Sequence, residues 1–367
     1  MINKVYKNVV IQNKYDADKI LERELISREN LSDGEKNLKH KLVKVITGPR
    51  RTGKSTFALL LLKNKKFCYL NFDDEKLMKC KDTDEITEAI FEVYGGKLEY
   101  LVFDEIQNLK GWEIYVNKLQ RKGYNLIITG SNAKLLSREL GTALTGRYIP
   151  IEMFPFNYRE FLAAHQFDYS TTDINIPERR GELMNYLNSY LSGGGYPEII
   201  LQDVDSRSYL STLFDSVMLK DVVKRYNIRY SQSLYDLAIY LLTNFGLEYS
   251  FNSLRKSIGF NSTNTVQNYI KYLEETYLFF SLERFSFSKK NLIRAPRKIY
   301  IADNGFIPAV ASLHSTNIGK LLENAVFIEL LRKKYKPNLE LYYHKTGNGK
   351  EIDFVLKKNN KVVALIQ

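Results

Sequence analysis

Two cysteines in 367 residues, Cys68 and Cys80, are too few and too isolated to staple a fold. With no second pair and no cluster of histidines beside them, a disulfide framework and a cysteine-based zinc site are both excluded, and the two read as ordinary thiols. An uninterrupted apolar run of the ~18 residues that cross a bilayer is also missing, so no membrane span and no membrane partner are expected. The amino-terminal stretch mixes apolar residues with Lys14, Asp16, Asp18, Lys19, Glu22, Arg23 and Glu24, which leaves no room for the apolar heart of a secretory leader. The expectation is a cytoplasmic protein. What the chain has in excess is positive charge: 54 Lys and Arg against 42 Asp and Glu leave +12. The 44% apolar and 13% aromatic content is too high for a disordered basic tail. The charge is carried by folded domains, and an acidic partner such as nucleotide or nucleic acid is the first expectation. At roughly 100 to 200 residues per domain, two or three domains are predicted.

The first half alternates strand and helix patterns. Apolar runs at Val43 to Ile46, Phe67 to Phe72, Tyr100 to Phe103, Leu126 to Thr129 and Tyr148 to Met153 are separated by helical stretches Lys54 to Lys63, Thr83 to Val93 and Trp112 to Arg121. This alternation predicts an α/β fold, a parallel sheet with helices on both faces, whose ligands sit at the carboxyl ends of the strands.

At the end of the first strand stands Gly48-Pro49-Arg50-Arg51-Thr52-Gly53-Lys54-Ser55, a complete G-x-x-x-x-G-K-[ST] run leading into Thr56. Its chemistry is that of a phosphate loop. The backbone must wrap a phosphate, the amides at a helix N-terminus face negative charge, Lys54 neutralises phosphate oxygens, and Ser55 ligates Mg2+. ATP and Mg2+ are the expected cofactors. The strand Tyr100 to Phe103 runs into Asp104-Glu105, where Asp104 completes the Mg2+ shell and Glu105 orients and deprotonates an attacking water. A strand end followed by a helix cap explains the same two acids without chemistry. The next strand ends in Gly130-Ser131-Asn132, and either Ser131 or Asn132 reads as a γ-phosphate sensor or as a cap. Arg147 is a candidate arginine finger, in cis or across a subunit contact, with Arg138 as a second candidate and plain surface charge as the competitor. Asp73 and Asp74 read as a turn and a helix cap.

These residues carry a family resemblance. Ile46 to Ser55, Val102-Phe103-Asp104-Glu105-Ile106-Gln107, Ile128 to Asn132, Leu144-Thr145-Gly146-Arg147, Phe154 to Phe161 and Gly194-Gly195-Tyr196-Pro197-Glu198 resemble the bacterial and archaeal AAA+-type P-loop ATPases that have an Arg-Arg phosphate loop and a carboxyl-terminal accessory region. The resemblance implies an extra strand between the phosphate-loop strand and the acidic strand, and water activation by Glu105.

Past Met153 the alternation stops. Gly193-Gly194-Gly195-Tyr196-Pro197 has no Lys and no following helix signature, and reads as a hinge or turn. Helical patterns at Ser233 to Asn244, Asn252 to Ile258 and Ser262 to Glu275 precede extended segments Tyr277 to Phe287 and Ile299 to Ile301, the order of a winged helix. Its third helix offers Thr263, Asn264, Gln267 and Lys271 to a DNA groove. The segment Arg284 to Lys298, with Lys289, Lys290, Arg294 and Arg297, has six basic residues and no acid, as a wing on a phosphate backbone would need. Winged helices also dock proteins, so double-stranded DNA and a protein remain alternative partners. The tail returns to helix then strand. Glu323, Asp353 and Gln367 resemble the acid positions of a restriction-endonuclease-like core, but Gln367 is a poor metal ligand, and an inactive remnant is expected unless residues beyond Gln367 complete the site.

The predicted division is a helical lead-in (1–40), a P-loop ATPase core (41–160), a helical linker or lid (161–231), a winged-helix segment (232–305) and a small α/β endonuclease-like domain (306–367). The expected function is ATP hydrolysis that positions the winged helix on DNA or a protein. The alternatives are a DNA-binding regulator that holds ATP with little turnover, and an ATP-gated metal-dependent nuclease.

Overall fold

The structure, a computed structural model, describes residues 4–96, 98–131, 144, 146–202, 204–286, 295–311, 317–359 and 361–367. The chain forms two compact units, residues 1–153 and 154–367. The lead-in belongs to the first unit, because it covers the sheet's edge.

Unit 1 begins with α1 (Lys4–Leu21) and α2 (Leu31–Leu38) and continues as β1 (Val43–Thr47), α3 (Lys54–Leu61), β2 (Phe67–Asn71), α4 (Glu75–Met78), α5 (Thr83–Tyr94), β3 (Tyr100–Asp104), α6 (Trp112–Arg121), β4 (Asn125–Gly130) and β5 (Tyr148–Glu152). The strands form one parallel sheet in the order β2-β3-β4-β1-β5. The strand between β1 and β3 is the one the family resemblance implied. β1 and β3 are buried along their whole length, as parallel strands covered on both faces must be. One face packs Val45, Leu70, Phe103 and Ile128 with residues of α5 and α6, and the other packs Ile46, Val102 and Ile127 under α3.

Strand β2 would be an open edge. Helix α1 covers it: buried Asn13 accepts the Asn71 amide at 2.6 Å and donates to the Val9 carbonyl, so the last amide of β2 is satisfied by the lead-in. Asp74 caps α4 by accepting from the Lys76 and Leu77 amides, as the sequence suggested.

Unit 2 opens with a helix at Tyr158–Ala164, capped reciprocally by Asn157 and Glu160, followed by Pro177–Gly193 and Ser206–Val217, the last running into a π-helical turn at Met218–Val223. Three helices (Ser231–Thr243, Phe251–Ile258, Thr263–Glu274) come next. The short β6 (Glu248–Tyr249) joins β7 (Phe279–Glu283) and β8 (Arg297–Ile301) in an antiparallel sheet of order β6-β8-β7. A helix Ile318–Arg332 then precedes β9 (Leu341–Lys345), β10 (Glu351–Lys358) and β11 (Lys361–Ile366), antiparallel in the order β11-β10-β9.

The two small sheets share a core in which Leu282 and Tyr300 pack with Phe327, Leu341, Tyr343 and Phe354, which explains why the two terminal segments fold as one unit. The Gly193–Pro197 corner is a locked turn, not a hinge. A Cβ on Gly195 would lie 2.2 Å from the Phe156 carbonyl oxygen, and one on Gly194 would lie 1.8 Å from Asp303 Oδ1.

Candidate functional site

The phosphate loop spans the turn from β1 to α3, at the carboxyl end of the sheet. Gly48 sits at φ 140°, and a Cβ there would fall 1.9 Å from the Met153 carbonyl oxygen, so only glycine fits. Arg51 and Gly53 also have positive φ, which coils the loop so that its last residues feed the N-terminus of α3. Thr52 is buried and its hydroxyl donates to the Pro49 carbonyl at 3.0 Å. Lys54 is buried, and its ammonium donates to the carbonyls of Gly48 (3.2 Å) and Pro49 (2.7 Å). A phosphate oxygen is a stronger acceptor for that ammonium than either neutral carbonyl.

The acidic strand ends beside the loop. Asp104 is buried and accepts from two hydroxyls, Tyr69 at 2.7 Å and Thr129, and the Ser55 hydroxyl of the loop is near enough to favour its carboxylate. Burial, and then the neighbouring Glu105 carboxylate, push Asp104 above the usual carboxylate range. Among the described residues no ammonium or guanidinium pairs with Asp104 or Glu105. Ser55 and Asp104 are hard oxygen ligands held together beside Lys54, a donor set that fits Mg2+ with phosphate.

Glu105 lies just past β3 in a left-handed conformation, φ 49°. Such backbone is uncommon outside glycine and asparagine and is over-represented at functional positions. Its amide donates to Thr129 Oγ1 at 3.2 Å, and its carboxylate accepts from Gln107 Nε2 and, at 3.4 Å, from Ser131 Oγ. Of the two sensor candidates, buried Ser131 therefore contacts the acidic pair, while Asn132 lies outside the described residues, as does Arg138. Gln107 was quoted only for family likeness. Its clamp on Glu105 and its buried Oε1, which meets no donor among the described residues, depend on a one-turn 3-10 helix that the sequence does not announce.

Arg28 is a second residue the sequence reading missed. It is buried, and its Nη1 donates to the Thr52 carbonyl at 2.9 Å, bracing the loop from the lead-in. No spacing in the sequence ties it to the loop.

Arg147 is corrected. It precedes β5, where its carbonyl accepts from the amide of Val43, the first residue of β1. That is the amino end of a parallel sheet, so five residues of strand, roughly 16 Å, separate it from the loop. The side chain does not serve a phosphate on its own chain.

In unit 2, of the candidate DNA-contact residues on the helix Thr263–Glu274, Asn264, Gln267 and Lys271 are exposed and Thr263 is half-buried, while Val266, Ile270 and Leu273 are buried. The basic hairpin is corrected in part. Arg297 pairs with Glu283 at 2.8 Å and lies over the Phe251 ring, and Arg284 donates to the Lys345 carbonyl, so both are spent on the fold. Lys289, Lys290 and Arg294 lie outside the described residues.

Lys298, read as part of the same run, is 1% exposed and faces three carboxylates: Glu323 at 2.8 Å, Glu351, and Asp353 at 3.8 Å. Glu323 also accepts from Tyr300 Oη at 2.6 Å. Glu323 and Asp353 are thus brought together as the endonuclease-like pattern supposed, but the third acid is Glu351. Gln367 is exposed beyond the end of β11. Burial alone would lower the Lys298 pKa, and the Glu323 and Glu351 carboxylates together outweigh it, keeping the ammonium charged.

Comparison with known proteins agrees with this geometry. An AAA domain model matches residues 40–162, and two domains of unknown function, DUF8612 and DUF4143, match residues 184–317 and 318–366. The fold is similar to that of the Walker-type ATPase PABY2304 of Pyrococcus abyssi, at a TM-score of 0.50 and 14% identity over 79% of this chain and 99% of that one. An uncharacterized protein of Haemophilus influenzae is 31% identical over 94% of this chain and 86% of its own length. The uncharacterized protein MJ1544 of Methanocaldococcus jannaschii is 35% identical over 87% of this chain and 73% of its own. No described helix is long and apolar enough to cross a membrane. The chain therefore belongs to one family with these two relatives, and its residues 40–162 form an AAA-type domain with the phosphate loop, acidic strand and sheet order of a P-loop ATPase.

Proposed function

We propose that the protein binds Mg-ATP on the loop Gly48 to Thr56 and hydrolyses it, with Glu105 as the base. The observation that carries this reading is the meeting of Ser55 with Asp104 beside Lys54, one residue from a Glu105 held in left-handed backbone. Bound Mg2+ would supply charge neutralisation between Ser55, Asp104 and the phosphates. The loop amides and Lys54 orient the terminal phosphate. Glu105, fixed by Gln107 and Ser131, accepts a proton from water as the water oxygen attacks the terminal phosphorus and the bond from that phosphorus to the bridging oxygen breaks, leaving ADP and phosphate. Arg147 has a role only if a second copy of the chain presents it.

The helix order Ser231–Thr243, Phe251–Ile258, Thr263–Glu274 followed by the β7–β8 hairpin supports a winged helix, with Asn264, Gln267 and Lys271 on its exposed face. In this reading the nucleotide state governs how that segment engages duplex DNA or a protein. With Arg284, Arg297 and Lys298 committed internally, the third helix becomes the principal DNA-facing element.

A metal-dependent nuclease is disfavoured, because an ammonium already stands among Glu323, Glu351 and Asp353. The test is ATP turnover alongside nucleotide binding. Glu105→Gln is expected to keep affinity and lose roughly 10²- to 10⁴-fold in kcat, and Lys54→Ala to lose binding. Parental turnover by Glu105→Gln would refute the base assignment.

A further inference from the structure

At the amino ends of β2 and β3, the end of the sheet opposite the phosphate loop, unit 1 has an open cleft of about 690 Å3. Its rim has Lys14 from α1 and Lys63, Lys65 and Lys66 from the turn after α3, against the single carboxylate of Asp18. A second hollow of about 320 Å3 shares Lys63 and Lys65 and adds Lys39 and Glu35. Together these make five ammonium groups against two carboxylates along one continuous stretch of surface.

The lysines of the turn are exposed. Among the described residues none of Lys63, Lys65 and Lys66 has an ion pair, while Lys14 lies 5.2 Å over the ring of Tyr94 at the back of the cleft. The turn also follows the C-terminus of α3, where the helix dipole favours positive charge.

Like charges gathered within a Debye length repel one another unless an anion is drawn in. The groups are lysines throughout, point-charge donors that grip phosphate oxygens without the planar fork that reads a particular carboxylate or base. The cleft also has the aromatic rings of Tyr94 and Phe67 among its lining residues, faces on which the unpaired bases of a single strand can stack.

We propose that this cleft binds the phosphate backbone of a single nucleic-acid strand, independently of base sequence, at a site separate from both the nucleotide loop and the helix Thr263–Glu274. Such a site predicts affinity that falls with salt in proportion to the phosphates neutralised.

The experiment is fluorescence anisotropy of a labelled oligothymidylate against the full chain over a salt series, with the combined variant Lys63→Glu/Lys65→Glu/Lys66→Glu. The expected result is at least a tenfold loss of affinity at low salt and a log–log salt slope shallower by about 2, from three fewer phosphate contacts on a single strand. ATP binding is expected to stay parental, which also reports that the variant is folded. If the reversed charges prevent folding, the neutral Lys63→Gln/Lys65→Gln/Lys66→Gln variant is read on the same slope. Parental affinity and slope in the folded variant would overturn the proposal. So would abolition of oligothymidylate binding by Asn264→Ala/Gln267→Ala/Lys271→Ala, or a loss confined to phosphatidylserine vesicles, which would make the cleft a lipid-facing surface.

Discussion

The molecule contains two clusters of carboxylates close to a buried lysine, and they are built in opposite ways. In unit 1, Asp104 and Glu105 accept from hydroxyls and an amide, while Lys54 donates to loop carbonyls. In unit 2, Glu323, Glu351 and Asp353 converge on the ammonium of Lys298. The first arrangement keeps its acids for a cation that arrives with a ligand. The second already holds a cation of its own, whose contacts tie a hairpin, a helix and a strand together. Both look alike as lists of acids and a lysine, and only the pairing separates a site from a brace.

The largest effect that would break this comparison is expected at Lys298. Lys298→Met leaves three half-buried carboxylates without their cation and is expected to lower stability by about 3–5 kcal/mol, read from urea unfolding. Adding Glu323→Gln and Glu351→Gln is expected to recover part of that loss. A loss below about 1 kcal/mol would mean that water, not the ammonium, balances the cluster.

Asp303 sharpens the comparison, being a buried acid satisfied by neither pattern. Its oxygens accept the amides of Gly195 (2.7 Å) and Gly305 (2.9 Å), yet burial pushes it up to about 6. Because the folded-state value is raised, the stability this group contributes is fully present below about pH 4 and is lost as pH rises through 6, a change on the order of 2–3 kcal/mol. Unfolding midpoints from pH 4 to 7 are expected to show that descending limb in the parent and a flatter one in Asp303→Asn. Identical limbs would assign it to other groups.

The smallest effect is expected at Gln107. Gln107→Leu removes the amide that fixes Glu105 and should reduce kcat about tenfold, or about 1.4 kcal/mol, with KM unchanged. Steady-state kinetics decide this, and a rise in KM alone would make Gln107 a nucleotide-binding residue.

What was legible in the sequence was what is contiguous in it. The octet Gly48 to Ser55, the pair Asp104-Glu105 and the strand ends that carry them are local patterns, and the structure brings them together at one end of a parallel sheet. The strand inserted between β1 and β3 came from resemblance, since alternation of strand and helix does not say which strand lies beside which. Arg28 and Lys298 were invisible or misread for one reason: their roles depend on partners far along the chain, Thr52 in one case and Glu323 in the other. A lysine in a run of basic residues gives no sign that alternation along β8 turns it, with Tyr300, toward Glu323. Arg147 precedes β5 and so stands at the amino end of the sheet, whereas the loop follows β1 at the carboxyl end, a placement that strand direction decides and the motif alone does not.

Mn2+ binding to the full chain, measured with ADP and without it, tests most directly whether only the first cluster takes a metal-nucleotide complex. The account predicts nucleotide-dependent Mn2+ binding that Lys54→Ala and Asp104→Asn abolish and Asp353→Asn leaves intact. Binding that persists without nucleotide and disappears in Asp353→Asn would contradict it.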